Sequence, residues 1–422
     1  MKLLVIFFIL AILLMAATPL ITSASSYGSP SRSTTFSPSL AVGPLNLKNR
    51  TLTSPNVQSF GDFGFSVSIS SNLVAVGAPY ENASGYQYAG HVYIFNATTG
   101  KLIQTLTSPN AQYDGLFGWA VATSDKLVTV GALYETVDGY SEAGHAYVFN
   151  ANTGKLIQTL TSPNGQSYGT FGESVSMSGT LVSVGAEGET ADGYTYAGHA
   201  YVFNANTGKL IQTLTSPNAQ LGGFFGTSVS ISGKLVAVGA YHEKADGYSG
   251  AGHAYVFNAN TGKLIQTLTS PSAQHHGWFG WSVSISGKLV AVGAIGEKVD
   301  GNIFAGHAYV FNANTGKLIE TLTSPNAQLG GDFGVSVSMS GNLVAVTAPF
   351  ETASGYYQAG HAYIFNAETG KLVKMLTSPN AQAGGEFGLW VSTSGKLLTV
   401  GAAYETADGY PYGGHAYVFY NV

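Results

Sequence analysis

Residues 228–232, Ser-Val-Ser-Ile-Ser, alternate small polar and apolar side chains, and residues 235–238, Leu-Val-Ala-Val, are apolar without a break. A third run, His253 to Phe257, alternates again, and a fourth, Lys263 to Thr269, mixes apolar with polar positions. Period-two alternation marks a half-buried strand, and a short unbroken apolar run between turn residues marks a strand covered on both faces. Ser232-Gly233 and Asn260-Thr261-Gly262 separate these runs with hairpin-turn residues. No run carries a helical period, so the pattern predicts four antiparallel strands.

The same four runs return along the whole chain. The Leu of Leu-Thr-Ser-Pro falls at Leu52, Leu106, Leu160, Leu214, Leu268, Leu322 and Leu376, a constant step of 54 residues (106 minus 52) with no insertion or deletion. Residues 144–163, GHAYVFNANTGKLIQTLTSP, recur unchanged at 198–217 and 252–271. A lone four-stranded sheet cannot bury both faces, whereas neighbours packed round an axis can. The expected fold is therefore all-β: a seven-bladed β-propeller over residues 45–422, with four antiparallel strands per blade. The small side chains of Ser228–Ser232 suit the innermost strand, where the sheets converge. The last repeat ends after a third strand, His415 to Phe419, while Leu47–Thr53 aligns with the missing fourth. An N-terminal strand is thus expected to close the seventh blade.

Composition narrows the setting. Charged residues make up 9% of the 422, against 55 Gly, 25 Tyr and 22 Phe, which is an ordered β composition. A net charge of −5 with 17 basic residues argues against nucleic acid or an anionic membrane surface as partner. Residues 1–24 join Lys2, an apolar core and the small residues Thr22-Ser23-Ala24, as a signal peptide does; an uncleaved anchor is the alternative and the one route to a membrane. A secreted or cell-surface location follows, without disulfides, because cysteine is absent. Residues 25–44 form a Ser/Pro-rich linker, and Asn49, Asn82 and Asn96 head glycosylation sequons. A monomer is expected.

Each repeat opens with Phe-Gly, at Phe63-Gly64, Phe117-Gly118, Phe171-Gly172, Phe225-Gly226, Phe279-Gly280, Phe333-Gly334 and Phe387-Gly388; in the first, Gly77-Ala78-Pro79 follows. The pair resembles the FG-GAP repeat, the blade unit of the integrin α-subunit head propeller and of many exported microbial proteins. The resemblance implies a seven-bladed propeller, an extracellular setting, and adhesion or ligand binding. Two departures qualify it. Integrin-type blades often carry an Asp-rich calcium loop between the first and second strands. Here that connection is only Ser71-Asn72, Ser124-Asp125 or Ser232-Gly233, too short and too poor in carboxylates for six or more oxygens. Calcium is not expected there, nor any other cofactor. The Pro of the motif survives only at Pro79 and Pro349.

Alternating strand directions put the inter-blade connectors and the second-to-third-strand loops on one elaborated face, and the short turns on the other. Each long loop carries a Glu (Glu81, Glu135, Glu189, Glu243, Glu297, Glu351, Glu405), followed by a His at the start of the third strand (His91, His145, His199, His253, His307, His361, His415). Carboxylate and imidazole could form a metal or catalytic ring. Identity in every copy favours a bracing role instead, because a catalytic site needs different groups converging once.

Function is expected where the repeats disagree: after Gly-Ala, after Gly-Tyr, and in the connectors around Phe-Gly. These positions hold Phe60, Phe65, Tyr113, Trp119, Tyr168, Phe224, Trp278, Trp281, Phe304 and Tyr357. Aromatics on a rigid scaffold grip sugars and protein hot spots, although several are expected only to fill gaps between blades. His242, His275 and His276 have no repeated counterpart and fall in and just after the fourth blade, beside Trp278 and Trp281. They are candidates for a ligand patch, or for a transition-metal site, or are solvated loop residues. The expectation is a non-enzymatic binding or adhesion propeller for a protein or glycan partner at the cell surface. A multivalent lectin, an extracellular enzyme and a surface-layer component are its rivals.

Overall fold

The structure, a computed structural model, describes residues 48–422; the expected signal peptide and linker lie outside the described residues. The described chain forms seven four-stranded antiparallel sheets. In the first blade, after the leading strand β1 (Asn49–Leu52), come β2 (Ser66–Ser70), β3 (Leu73–Ala78), β4 (His91–Asn96) and β5 (Leu102–Thr107), paired in chain order. Five further blades repeat this plan. In the seventh, the strands Val391–Ser394, Leu397–Ala402 and His415–Tyr420 are completed by β1, which runs antiparallel to His415–Tyr420 with Asn49 opposite Phe419 and Leu52 opposite Ala416. The closure expected from the unequal chain ends is present.

Period-two alternation explains how the blades stick together. On the third strand of the fourth blade, Tyr255 and Phe257 pack back towards the third blade, in a cluster with Ala200, Val202 and Leu214. Ala254 and Val256, on the opposite side of that strand, pack forward against Phe279 and Val283 of the fifth blade. Each core thus belongs to two blades. The ring closes in the same way, with Leu52, Ala416 and Val418 against Phe63, Val76 and Tyr93.

The Ser positions of the innermost strands have a specific use. An innermost strand is a sheet edge, with backbone N–H groups left unpaired by the ladder. Ser176 Oγ accepts from the Ile231 N–H of the next blade, Ser230 Oγ from Ile285, Ser284 Oγ from Met339, and Ser392 Oγ from Ile69 across the closure. Small hydroxyls therefore satisfy the edges where the sheets crowd the axis.

The two motif glycines also meet. A Cβ on Gly239, of the Gly-Ala pair in the fourth blade, would lie 1.9 Å from the carbonyl oxygen of Gly280, in the Phe-Gly pair of the fifth. Gly280 itself sits at φ +94°, in the left-handed region. Phe-Gly and Gly-Ala recur together because they form one blade-to-blade contact.

Candidate functional site

The elaborated face is built from two left-handed backbone features. In each long loop a small hairpin closes over two residues: Ala245 pairs with Tyr248 across Asp246 (φ 50°) and Gly247 (φ 87°), the geometry of a type I′ turn. The residue before Phe-Gly is also left-handed in every blade, including Asp62 (φ 53°), Asp332 (φ 52°) and Glu386 (φ 50°). Its N–H bonds to the long loop of the preceding blade, as Asp62 does to Tyr412 O and Phe224 to Tyr196 O. Connector and loop are thereby laced into one surface.

Beneath this surface lie the repeated glutamates, all fully buried. Glu243 accepts from the Tyr255 hydroxyl at 2.5 Å and from the Ser216 hydroxyl at 2.5 Å. His253 Nδ1 lies 2.9 Å from the same oxygen that accepts the Tyr255 hydrogen bond, at ion-pair distance but without a well-directed hydrogen bond. The same contacts recur in the other blades, with His Nδ1 at 2.7–2.9 Å from Glu Oε2. Ser216 lies just beyond the outer strand of the third blade (Leu210–Leu214), so each Glu ties its own loop to the blade before it. The Glu–His spacing was visible in the sequence; the Ser and Tyr partners were not, although both repeat as faithfully and could have been paired with a buried carboxylate on that ground. Among the described residues no group of three or more His, Cys, Asp or Glu is placed to hold a metal ion.

Of the three unrepeated histidines, the structure brings two together. The His242 and His276 rings are 6.2 Å apart and nearly parallel, and His242 Nδ1 lies 3.0 Å from Gly222 O. His275 turns away: its Nδ1 accepts from the Ser249 N–H at 3.3 Å and its ring meets Tyr248 edge-on at 5.2 Å. Trp278 continues from His276, stacks on Phe304 at 5.6 Å and leaves its indole N–H without a partner. Trp281 packs on Tyr241 at 4.9 Å. The candidate patch is thus a continuous aromatic cluster across the fourth and fifth blades, with His275 and His276 exposed and Trp278 and Trp281 half-buried.

The other aromatic candidates divide between axis and rim. Phe65 is buried at the axial mouth, 4.6 Å from Trp119 and 5.1 Å from Trp390, so it plugs the centre and is not an exposed gripping residue. Tyr113, at 63% exposure, stands out on the rim, as do Tyr168 and Tyr357, and Phe60 is exposed there with its ring stacked on Tyr412 at 5.3 Å.

Sequence reasoning placed a few acids at the repeat-variable positions but named none of those around that mouth. They occupy repeat-variable positions, which was the available signal. Burial pushes the Asp62 carboxyl up to about 8 and that of Asp332 to about 7. Glu386 rises to about 8 by burial, reinforced by the like charges of Asp62 and Asp332. On the third blade, burial and then the neighbouring Glu187 hold Glu173 well above the usual carboxylate range, while the Trp119 indole N–H donates to it at 3.1 Å. Burial takes Glu187 to about 7, against a hydrogen bond from Thr227.

These groups bind protons more tightly folded than unfolded. Their stabilising contribution is fully present below about pH 4 and is lost as pH rises through about 7 to 8. The unfolding free energy from urea titrations is expected to fall between about pH 4 and 8, with a slope of up to ~1.4 kcal/mol per pH unit for each group. An Asp62→Asn, Glu386→Gln variant should show a flatter profile; an unchanged profile would refute the assignment.

The FG-GAP repeat pattern matches residues 48–95, 101–149, 155–203, 209–257, 263–311 and 318–365. Each matched segment begins at or just before an outer strand and ends in the third strand of the following blade, the phase in which β1 closes the ring. No curated protein matches the chain. With most of its length matched, and with the two motif glycines in contact between blades, the chain belongs to the FG-GAP repeat family.

Proposed function

We propose that this propeller is an exported or cell-surface binding module of the adhesion type, without enzymatic activity or cofactor, and that its elaborated face receives a protein partner. The observation that carries this reading is the placement of exposed aromatics. Every aromatic side chain among the strongly exposed large hydrophobics lies on the elaborated face, including Phe60, Tyr113, Tyr168 and Tyr357 at repeat-variable positions. Large rigid side chains left in water on a well-packed scaffold match the composition of binding hot spots. The test is capture of a cell-surface partner by the parent and by a Phe60→Ser, Tyr113→Ser, Tyr357→Ser variant. All three positions are exposed, so the fold should hold while capture falls at least ~10-fold. Equal capture by both would refute the reading.

A glycan reading draws on one further feature. Between the second and third blades a cleft of about 240 Å³ is lined by Asp138, Tyr140, Ser162 and Pro163, most of which recur in other blades. A lectin of this kind would agglutinate cells through several equivalent clefts, whereas a single-site protein binder would not.

A further inference from the structure

Charge is segregated between the two ends of the propeller. Among the described residues, every aspartate and glutamate lies on the elaborated face except Asp125, Glu320 and Glu368, and the only lysines there are Lys244 and Lys298. The turn face is the reverse. Lys101, Lys155, Lys209, Lys263, Lys317 and Lys371 follow the turns between third and fourth strands, all exposed. An inner set, Lys126, Lys234, Lys288 and Lys396, follows the turns between first and second strands and is equally exposed.

The opposite face carries a matching set at the loop tips. Asp138, Asp192, Asp246, Asp300 and Asp408 are exposed on their type I′ turns. In most blades a Tyr follows at the far end of the turn, and Tyr86, Tyr140, Tyr194, Tyr248, Tyr356 and Tyr410 are 41–49% exposed. The turn needs the Asp-Gly backbone and does not need a large ring in water beside it.

We propose that the propeller associates head to tail with a second copy of itself, the lysine-bearing turn face of one copy seated on the aspartate and tyrosine tips of the next. Head-to-head contact would oppose like charges, so electrostatics selects the head-to-tail arrangement. Both rings follow the same sevenfold blade plan, and the loop tips lie radially between the inner and outer lysines. One rotation therefore brings many pairs into reach together. Each ammonium-carboxylate or ammonium-tyrosine contact is weak by itself at an exposed site. Simultaneous engagement makes the sum useful. Such a contact joins two different surfaces along the axis, so it does not close on itself and produces stacks rather than dimers. The proposal rests on the elaborated face being the binding face and names as its partner the same chain.

The experiment is sedimentation velocity of the purified chain at low ionic strength and at ~0.5 M salt, where charges are screened within a few ångströms. Assemblies larger than two chains, growing with concentration at low salt and reverting to single chains at high salt, are expected. A Lys155→Glu, Lys209→Glu, Lys263→Glu variant should stay single, and so should an Asp138→Lys, Asp192→Lys, Asp246→Lys variant. Mixing the two should restore assembly, because the reversed faces complement each other again. These side chains are exposed, and unchanged melting of each variant checks that folding is intact. A parent that stays single at low salt, an assembly that survives either reversal, or a mixture that stays single overturns the proposal. A parent that never stacks yet captures an outside partner through its rim aromatics overturns this inference alone.

Discussion

Deleting residues 49–55 is expected to make the propeller aggregate, or melt lower by roughly 10 °C or more. Three losses coincide there. The strand Asn49–Leu52 supplies the outer edge of the seventh sheet, and its removal exposes the backbone of His415–Tyr420 as a template for other chains. Leu52 is almost fully buried in the cluster that joins the seventh blade to the first, and emptying such a site costs ~2–5 kcal/mol. Ser54, just beyond the strand, donates to the buried Glu81, and its loss leaves that carboxylate short of a partner. Differential scanning calorimetry decides the matter, and a deletion that melts with the parent would show that the ring does not depend on this closure. The point variant Leu52→Ala should lose ~3 kcal/mol without exposing the sheet edge.

Replacing one repeated glutamate should be nearly as damaging. Glu243→Ala removes the acceptor for the Tyr255 and Ser216 hydroxyls and for His253, all in a buried setting. The expected cost is ~3–5 kcal/mol in urea unfolding, since a buried cluster stripped of its centre leaves several unpaired polar groups. Glu243→Gln should cost less because an acceptor oxygen remains. His253→Ala should cost only ~1–3 kcal/mol, because the imidazole is the least well-directed of the three partners. The same substitutions at Glu189 and His199 should give the same ranking, the environment being repeated. Stoichiometric metal in the parent, lost from these variants, would contradict a bracing role.

The histidine and carboxylate sites show how differently the two kinds of residue read from sequence. His242, His275 and His276 stood out because nothing in the other repeats matched them, yet only His242 and His276 came to face each other. Asp62, Asp332 and Glu386 share the position before Phe-Gly, which the other repeats fill with Leu, Thr, Phe and Trp, and each is a single acid in a connector that reads as solvent-facing. Their mutual influence depends on the sixth, seventh and first blades meeting at the axis, which no local pattern states. Phe65 and Tyr113 were alike as candidates, and only their places at the centre and the rim separated them.

The sequence alone determined the blade plan, because a period of two fixes which side chains share a face and a constant repeat fixes how often the plan recurs. It also pointed to the closure: Leu47–Thr53 aligns with the fourth strand that follows the third in every other repeat, and pairing it with His415–Tyr420 satisfies both edges. What the tertiary structure decided is everything that depends on neighbouring blades. It set the Ser and Tyr partners of each buried Glu, the Ser-to-backbone belt around the axis, the crowding of carboxylates at the mouth, and the separation of charge between the two ends. Proximity between repeats is a property of the closed ring, and a residue's distance along the chain says nothing about it until the ring exists.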